Sequence, residues 1–279
     1  MNTQTLILVP GLLCDLAVWE AQIAALSDQW ALQVPNHGTA DTLGALAEAI
    51  LASAPPRFAL AGHSMGGRVA LEVWARAPQR VTRLALLDTG YEGLAGGEAG
   101  ERERAGRMRL LEVAQREGMR PMARAWARGM VHPDRLADAA LMESIHAMLE
   151  RSDPLVFAAQ INALLNRPDR TALLPTINVP TLVLCGREDS WSTLERHQAM
   201  ASQITGSVLV DVAVFRQAYA LIGLGWLYAP TGWPLVAPLV NRLYGLWAAA
   251  RLRLTRRPCL DQLCALRQQP LAAAAASRP

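Results

Sequence analysis

The sequence predicts an α/β fold in which helices cover both faces of a mostly parallel β-sheet. Short apolar runs rich in β-forming residues alternate with stretches of helical periodicity. The helical stretches are long enough for the crossovers that parallel strands need, and such crossovers are right-handed and cover the sheet on both sides. Two regions depart from this alternation: a long charged helical insertion in the middle of the chain, and an atypical C-terminal segment that is also predicted to be helical.

Each predicted unit has its own signal in the sequence. The first strand is TLILVP, and AVWEAQIAALSDQW after it has apolar residues at helical spacing. The alternation repeats with ALQVPN and TLGALAEAILASAP, and again with RFALAG and SMGGRVALEVWARAP. That third helix ends before Pro78, because proline cannot continue a helix. The runs VTRLALLDT and PTLVLCGRED predict two further strands.

A helical, charged region at about residues 92–176 separates the last two predicted strands. The connection of about ninety residues is far longer than a single crossover needs, so it predicts a helical insertion over one end of the sheet. Such an insertion is either a lid that excludes water and shapes a substrate pocket, or a solvated helical decoration. The chemistry predicted at the adjacent strand ends favours the lid.

Composition and charge narrow the class of protein. With 52% apolar and 18% charged residues, the chain of 279 residues is globular rather than disordered. The 27 basic residues are all arginine, which indicates a GC-biased coding sequence rather than a nucleic-acid surface, and no nucleic-acid partner is predicted. Residues 211–279 carry eight Arg against two Asp, a balance that can favour an anionic membrane surface.

The cysteines and the N-terminus predict the compartment. Four cysteines in a chain of this length do not make a disulfide framework. The start MNTQTLILVPGLL lacks the basic residues and long apolar run of a signal peptide. We therefore expect a cytoplasmic protein with reduced thiols, associated with a membrane only if its C-terminal segment makes that contact. No cofactor and no metal are predicted.

The motif Gly62-His63-Ser64-Met65-Gly66 stands between an apolar strand and an amphipathic helix. In that context G-x-S-x-G is the nucleophile elbow: small residues around the serine let strand and helix approach, and the tight turn lifts the hydroxyl above the sheet. The helix N-terminus then faces the developing oxyanion. The motif predicts Ser64 as a nucleophile; the alternative is a glycine-rich turn with an incidental serine.

A second motif supplies the partner of the elbow. Pro10-Gly11 closes the first strand, and an oxyanion hole needs one N–H from such an early loop and one from the residue after the nucleophile. We assign these donors to Leu12 and Met65. Taken alone, Pro10-Gly11 would be an ordinary turn.

Residues 1 to about 208 resemble the α/β-hydrolase family, and small esterase or lactonase members such as 3-oxoadipate enol-lactonase-like proteins in particular. The resemblance rests on ILVPGLLCD, GHSMGG, RLALLDT and PTLVLCGRED, which stand in the family's order. It implies a Ser–Asp–His triad whose acid, after the strand TLVLC, is Asp189, which would orient an imidazole and stabilise its cation. Asp88 also follows a predicted strand and is a second, lower-ranked candidate acid.

The resemblance implies a histidine after the last strand, but no histidine follows His197. His197 is expected to be carried off the sheet edge by its helix, and His63 to point away from the pocket. His132 and His146 belong to the insertion. His37, on a loop after a predicted strand, is the remaining weak candidate, and the base stays unassigned. Because a serine without a base is a poor nucleophile, the site is expected to be impaired.

The C-terminal segment, residues 209–268, resembles the C-terminal half of the DCC family of thiol-disulfide oxidoreductase-like proteins. The resemblance rests on GLGWLYAPTGWPLVAPLVNRLYGLWAAARLRL and a late cysteine pair. Cys259 and Cys264 lack C-x-x-C spacing and the family's N-terminal redox motif is absent, so redox activity is not carried over. Residues 217–241 are uncharged, but their three prolines argue against an uninterrupted helix. We therefore expect this segment to pack on the domain; peripheral membrane contact is the second alternative, and a membrane-spanning segment is the third. Residues 269–279 are predicted to be a flexible tail.

Two functions fit these observations. The first is a serine hydrolase acting on a small ester, lactone or thioester, impaired by the missing histidine. The second is a catalytically inactive hydrolase-like protein that binds a ligand or contacts a partner or membrane. The missing histidine favours the second, and the intact elbow with Asp189 favours the first, which is the function adopted.

Overall fold

The computed structural model describes residues 4–186 and 189–209. In these residues six strands form one sheet in the order β2-β1-β3-β4-β5-β6, and all neighbouring strands are parallel. The strands are β1 (Thr5–Val9), β2 (Ala31–Gln33), β3 (Phe58–His63), β4 (Val81–Leu87), β5 (Thr181–Leu184) and β6 (Val208–Leu209). The predicted parallel α/β sheet is confirmed.

The helices fall where the periodicity predicted them. Three follow the early strands, four form the insertion between β4 and β5, and one precedes β6: α1 (Glu20–Leu26), α2 (Leu43–Ser53), α3 (Met65–Arg76), α4 (Gly97–Glu117), α5 (Met119–Ala127), α6 (Ala139–Glu150), α7 (Pro154–Leu165) and α8 (Leu194–Gln203). The region predicted as a helical insertion at about 92–176 therefore consists of α4 to α7 with short 3₁₀ turns.

Local capping explains where several helices begin. The Thr42 hydroxyl accepts the Ala45 N–H at the start of α2, and the Asp153 carboxylate accepts two amides at the start of α7. Such side-chain caps satisfy amides that have no partner within the helix. Helix α3 differs, because its N-cap residue is Ser64 and the serine side chain makes no capping hydrogen bond. The serine hydroxyl is thus left available at a helix N-terminus.

The strands alternate their side chains between two buried layers. Ile7 and Leu60 belong to the large core that includes α2 and α3, whereas Leu8 and Ala61 pack with Trp19 on the opposite face, beside α1. Because successive strand residues point to opposite faces, a central strand covered on both sides is apolar at every position. This burial fixes the central strands whose carboxyl ends carry the candidate site.

The sequence interpretation was wrong at the last described strand. The C-terminal segment is predicted to be helical from residue 209, but Val208 and Leu209 pair in parallel with Leu182 and Val183 of β5. Two residues are too few to give a periodic pattern, and the open edge of β5 provides the pairing. The predictions for residues 210–279, including the helical segment, the tail and a membrane contact, lie outside the described residues. Among the described helices, none combines the length and apolar character needed to cross a bilayer.

Candidate active site

Ser64 occupies a strained turn between β3 and α3. Its φ of 55° and ψ of −118° are outside the regions that L-residues ordinarily adopt. The Ser64 N–H donates to Leu87 O at 2.9 Å. Its carbonyl accepts from the Thr89 hydroxyl at 2.6 Å and from the Gly67 N–H at 3.0 Å. The turn is therefore held by β4 on one side and by its own helix on the other.

The glycines of the motif are required by close backbone packing. A Cβ atom at Gly62 would lie 2.2 Å from Gly66 O, and one at Gly66 would lie 2.1 Å from Val9 O. A Cβ at Gly67 would lie 2.6 Å from the side chain of Thr89. No side chain fits at such distances, so β1, β3 and α3 meet here through backbone atoms. This geometry matches the nucleophile elbow rather than a chance cluster of small residues.

The loop after β1 lies directly beside the serine. A Cβ at Gly11 would be 3.2 Å from Ser64 Cβ. The loop turns through a Cys14 N–H···O Gly11 hydrogen bond of 3.1 Å, with Leu13 at a φ of 58°. Within the described residues, neither the Leu12 N–H nor the Met65 N–H donates a hydrogen bond to the protein. We call residues 10–15 the oxyanion loop below.

Three contacts tether the oxyanion loop. His37 Nε2 donates to Pro10 O at 2.9 Å, and the Leu13 N–H donates to Gln160 Oε1 at 2.8 Å. The Arg151 guanidinium makes two hydrogen bonds to the Asp15 carboxylate, at 2.7 and 2.9 Å. Gln160 and Arg151 belong to the helical insertion, and sequence reasoning missed both. No local signal could have found them, since they act across 147 and 136 residues.

The two candidate acids follow neighbouring strands: Asp88 comes directly after β4, and Asp189 lies in the loop after β5. Asp189 Oδ1 accepts the Trp191 and Ser192 amides at 2.8 and 2.9 Å. Asp88, at a φ of 46°, donates its N–H to Leu184 O at 2.8 Å and accepts the Gly186 N–H at 3.0 Å. Because parallel strands end at the same edge of a sheet, Asp88 and Asp189 share that edge with Ser64 and the oxyanion loop. Asp88 is also fixed to the turn that begins the Asp189 loop.

The two carboxylates act electrostatically on the same space. Burial lowers the pKa of His63, and the charges of Asp88 and Asp189 oppose that effect. Burial, together with the negative charges of Asp88, Asp189 and Glu195, raises the pKa of the Cys185 thiol to about 11. This edge of the sheet therefore carries a negative potential, which would stabilise an imidazolium ion placed there.

His197 is a buried brace, and the expectation that its helix carries it off the sheet edge was wrong. It is completely buried; its Nε2 accepts the Thr89 N–H at 3.1 Å, and its Nδ1 donates to Thr193 O at 3.0 Å. Both ring nitrogens are thus occupied. The histidine joins α8 to the segment that holds the Ser64 carbonyl.

The other histidines hold different positions. His37 is buried, which lowers its pKa, and the hydrogen bond of Nε2 to a carbonyl means that this nitrogen carries the proton. The His63 ring lies edge-on to Trp19, with 6.4 Å between ring centroids, and its Nδ1 is buried without a partner among the described residues. His132 caps a short turn of the insertion, and His146 lies on α6. In the described part of the chain, no imidazole nitrogen is hydrogen-bonded to the Ser64 hydroxyl.

The insertion also contacts the loop that carries Asp189. Trp126 of α5 stacks on Trp191, with ring centroids 6.2 Å apart and planes 12° apart. Trp126 also packs against Phe157 of α7, at 6.0 Å between ring centroids. The insertion thus contacts both the oxyanion loop and the loop that carries Asp189. Among the described residues, no group of three or more His, Cys, Asp or Glu side chains is arranged to hold a metal ion.

Comparisons of sequence agree with this architecture. Residues 6–218 match the model of the alpha/beta hydrolase family, and residues 185–257 match that of DCC1-like thiol-disulfide oxidoreductases. Both predicted resemblances are therefore confirmed. Curated relatives include an uncharacterized chloroplastic protein, At5g50100 of Arabidopsis thaliana, 35% identical over 26% of the chain. A pimeloyl-[acyl-carrier protein] methyl ester esterase of Nitrosomonas europaea is 31% identical over 31% of the chain. The chain matches only about a third of the length of each, 34% and 37%.

Solved structures share the fold over most of the chain. A thermophilic esterase from Thermogutta terrifontis has a TM-score of 0.63 at 27% identity, covering 74% of this chain and 80% of its own. An enol-lactonase from Burkholderia xenovorans LB400 has a TM-score of 0.65 at 24% identity, covering 79% of this chain and 89% of its own, and shows the fold alone.

Proposed function

The chain belongs to the alpha/beta hydrolase family and is carboxylic-ester hydrolase-like, and on that premise we propose that it is a serine hydrolase of a small ester, lactone or thioester. The observation that carries the proposal is the conformation of Ser64. A residue at a φ of 55° is costly unless its surroundings enforce it, and here Leu87 O, Thr89 and the Gly62–Gly66 contact all do so. Strain of this kind is maintained where it exposes a reactive group.

The reaction we propose begins with attack of Ser64 Oγ on the substrate carbonyl carbon. The carbonyl oxygen becomes an oxyanion that accepts the N–H groups of Leu12 and Met65. When this tetrahedral intermediate collapses, the bond to the leaving group breaks and the acyl group stays on Ser64 as an ester. The leaving alcohol or thiol takes up the proton lost by the Ser64 hydroxyl; in a lactone the same step opens the ring. Water then hydrolyses that ester, which regenerates the hydroxyl and releases the acid. Asp189 is the proposed acid, and the general base is unassigned.

We also propose that turnover is slow. No histidine occurs in residues 198–279, where the family's base would be expected. Without a base the serine proton must pass to water or to a weakly placed acceptor, and a site that keeps only its oxyanion hole and binding contacts retains roughly 10³- to 10⁴-fold acceleration over water. The insertion is proposed to act as a lid on this site, because it contacts both the oxyanion loop and the loop that carries Asp189.

The relatives support the choice of substrate class. The Nitrosomonas europaea relative is named as a methyl ester esterase, and the Thermogutta terrifontis structure is that of an esterase. Both names describe an enzyme that acts on an ester. The acyl and leaving groups of this chain's substrate are left to experiment.

Covalent labelling tests the proposal. A fluorophosphonate probe should label the wild-type protein slowly at Ser64, with loss of fluoride, and Ser64→Ala should abolish labelling. Ser144→Ala is the matched control, because Ser144 is an exposed serine of the insertion whose hydroxyl donates to Leu141 O; it should label like wild type. Absence of labelling in the wild type would refute the enzyme and favour a catalytically inactive ligand-binding protein.

Added imidazole tests the missing base. If the serine lacks only a proton acceptor, imidazole at millimolar concentrations should raise the labelling rate at Ser64. Rapid labelling that imidazole does not change would show that another group already serves as base, and would contradict the proposed impairment.

A further inference from the structure

The oxyanion loop contains a strained residue that the loop itself cannot hold. Leu13 has a φ of 58°, which costs a non-glycine residue stability unless surrounding contacts enforce it. The Cys14–Gly11 hydrogen bond closes the turn but leaves the Leu13 amide to be satisfied elsewhere. A buried amide without a partner would add a further penalty. The loop therefore needs an acceptor from another part of the chain.

That acceptor is Gln160, in the middle of α7. Its side chain is only 3% exposed and lies on a helix face otherwise made of buried apolar residues such as Phe157, Ile161 and Leu164. A polar side chain in such surroundings costs free energy unless it is hydrogen-bonded. Gln160 Oε1 accepts the Leu13 N–H at 2.8 Å. The amide side chain is thus aimed out of the insertion and into the oxyanion loop.

The same bond separates two neighbouring amides. Gln160 binds the Leu13 N–H, and the preceding Leu12 N–H, beside Ser64, has no acceptor among the residues that the structure describes. Oxyanion stabilisation depends on donors that are already aimed before the charge develops. The Arg151–Asp15 ion pair adds a second hold from the insertion, although both side chains are about half exposed and the pair alone is worth little.

From this geometry we infer that Gln160 is a positioning residue, which takes the Leu13 amide and so presents the Leu12 N–H to the oxyanion. The inference rests on the proposed function for its chemical consequence, but not for its structural part. The insertion then does more than exclude water from the site, because α7 positions one of the two proposed oxyanion donors. Movement of α7 would then alter reactivity as well as access.

The experiment compares Gln160→Leu with a matched variant of the same helix. Asn162 also joins α7 to the core, through Nδ2 donating to Asp41 O at 3.1 Å on the loop that carries His37, but this hydrogen bond does not involve the Leu13 amide. In Gln160→Leu, hydrogen exchange of the amides at residues 11–14 should become at least about 10-fold faster, since the loop loses its acceptor. In Asn162→Leu, exchange at residues 11–14 should match wild type.

Labelling kinetics supply the chemical readout. The maximal rate of fluorophosphonate modification at Ser64 should fall about 10²-fold in Gln160→Leu, the effect of losing one oxyanion donor, while the concentration for half-maximal rate stays the same. Gln160→Glu keeps a side-chain oxygen acceptor and should retain slow exchange at residues 11–14. It provides the comparison if the leucine variant does not fold.

The outcomes separate the two claims. Unchanged exchange in Gln160→Leu, or equal acceleration in Asn162→Leu, would overturn the positioning role. A wild-type protein that is never labelled would refute the proposed hydrolase, while the exchange data would still decide whether Gln160 holds the oxyanion loop. Faster exchange with an unchanged labelling rate would show that the Leu12 amide is not an oxyanion donor, and would also overturn the inference.

Discussion

Replacing Gly66 with alanine should damage both the stability and the reactivity of the elbow. The new Cβ would lie 2.1 Å from Val9 O and 2.6 Å from Pro10 O, and ordinary contact begins at 3.4 Å. About 1.3 Å of separation must therefore open between the start of α3 and the end of β1. Both opposing atoms belong to the backbone, so no side chain can rotate away to make room. The overlap should cost roughly 1–3 kcal/mol, which exceeds the gain of up to about 1 kcal/mol from replacing a helical glycine.

The reactivity should fall more than the stability suggests. The displaced backbone at Pro10 leads directly into Leu12, the proposed oxyanion donor, and a misplacement of about 1 Å at a catalytic group can reduce a rate by about 10²-fold. Urea unfolding of Gly66→Ala gives the change in the free energy of unfolding, and fluorophosphonate labelling of Ser64 gives the rate.

Gly106→Ala is the control with the same chemical change. Gly106 lies inside α4, and a Cβ there meets nothing within 4 Å. This variant should be more stable than wild type by about 0.5–1 kcal/mol, with labelling unchanged. If Gly66→Ala behaved like Gly106→Ala, the backbone contact between α3 and β1 would not exist, and the elbow geometry would be wrong.

Three further substitutions test the contacts that hold the site. Thr89→Val removes the 2.6 Å hydrogen bond to Ser64 O but keeps the shape of the side chain, and urea unfolding should show a loss of about 1 kcal/mol. Glu72→Gln removes the buried carboxylate that pairs with Arg76 and Arg170, and the free energy of unfolding should fall by about 3 kcal/mol or more. Glu98→Gln, in an exposed ion pair, should leave the unfolding midpoint unchanged. Burial alone would raise the pKa of Glu103. The hydrogen bond from Arg167 and the positive charges of Arg107 and Arg167 outweigh the effect of burial and hold this pKa at about 2, compared with 4.5 in the unfolded chain. The stability from this carboxylate is therefore complete above pH 4.5 and declines as the pH falls toward 2, so wild type should lose about 2 kcal/mol more than Glu103→Gln between pH 6 and pH 3.

Local signals in the sequence were enough to predict the elbow and strands β1 to β5, but not β6. The strand, the tight turn and the helix around Ser64 lie within about twenty consecutive residues, and Gly62 packs against the Gly66 backbone of the same motif. A single sequence therefore predicts the fold and the nucleophile for the same reason: both depend on near neighbours.

The contacts that tune the site are not local and could not be predicted. Gln160 lies in an apolar helix face, where glutamine has no distinctive spacing, and its partner is 147 residues away. His197 was expected to be carried off the sheet edge by its helix, but its two ring nitrogens bridge elements that only the fold brings together. Such side-chain pairs depend on the packed tertiary structure, which periodicity does not describe.

The arrangement of the acids predicts what a restored base would do. Asp88 and Asp189 are fixed by backbone amides at the edge that Ser64 shares, and their charge would favour an imidazolium there. Replacing residues 210–279 with the tail of a family member that contains the histidine should therefore raise turnover of a p-nitrophenyl ester by about 10²- to 10⁴-fold, the usual contribution of a positioned base. The same graft with that histidine changed to alanine separates the base from any effect of the new tail on folding, and Ser64→Ala in the graft should remove the gain. If the graft folds with the histidine in place and the rate does not rise, the serine, the carboxylates and the oxyanion loop are not assembled for catalysis. The absence of histidine from residues 198–279 would then be a consequence of a lost site rather than the cause of a slow one.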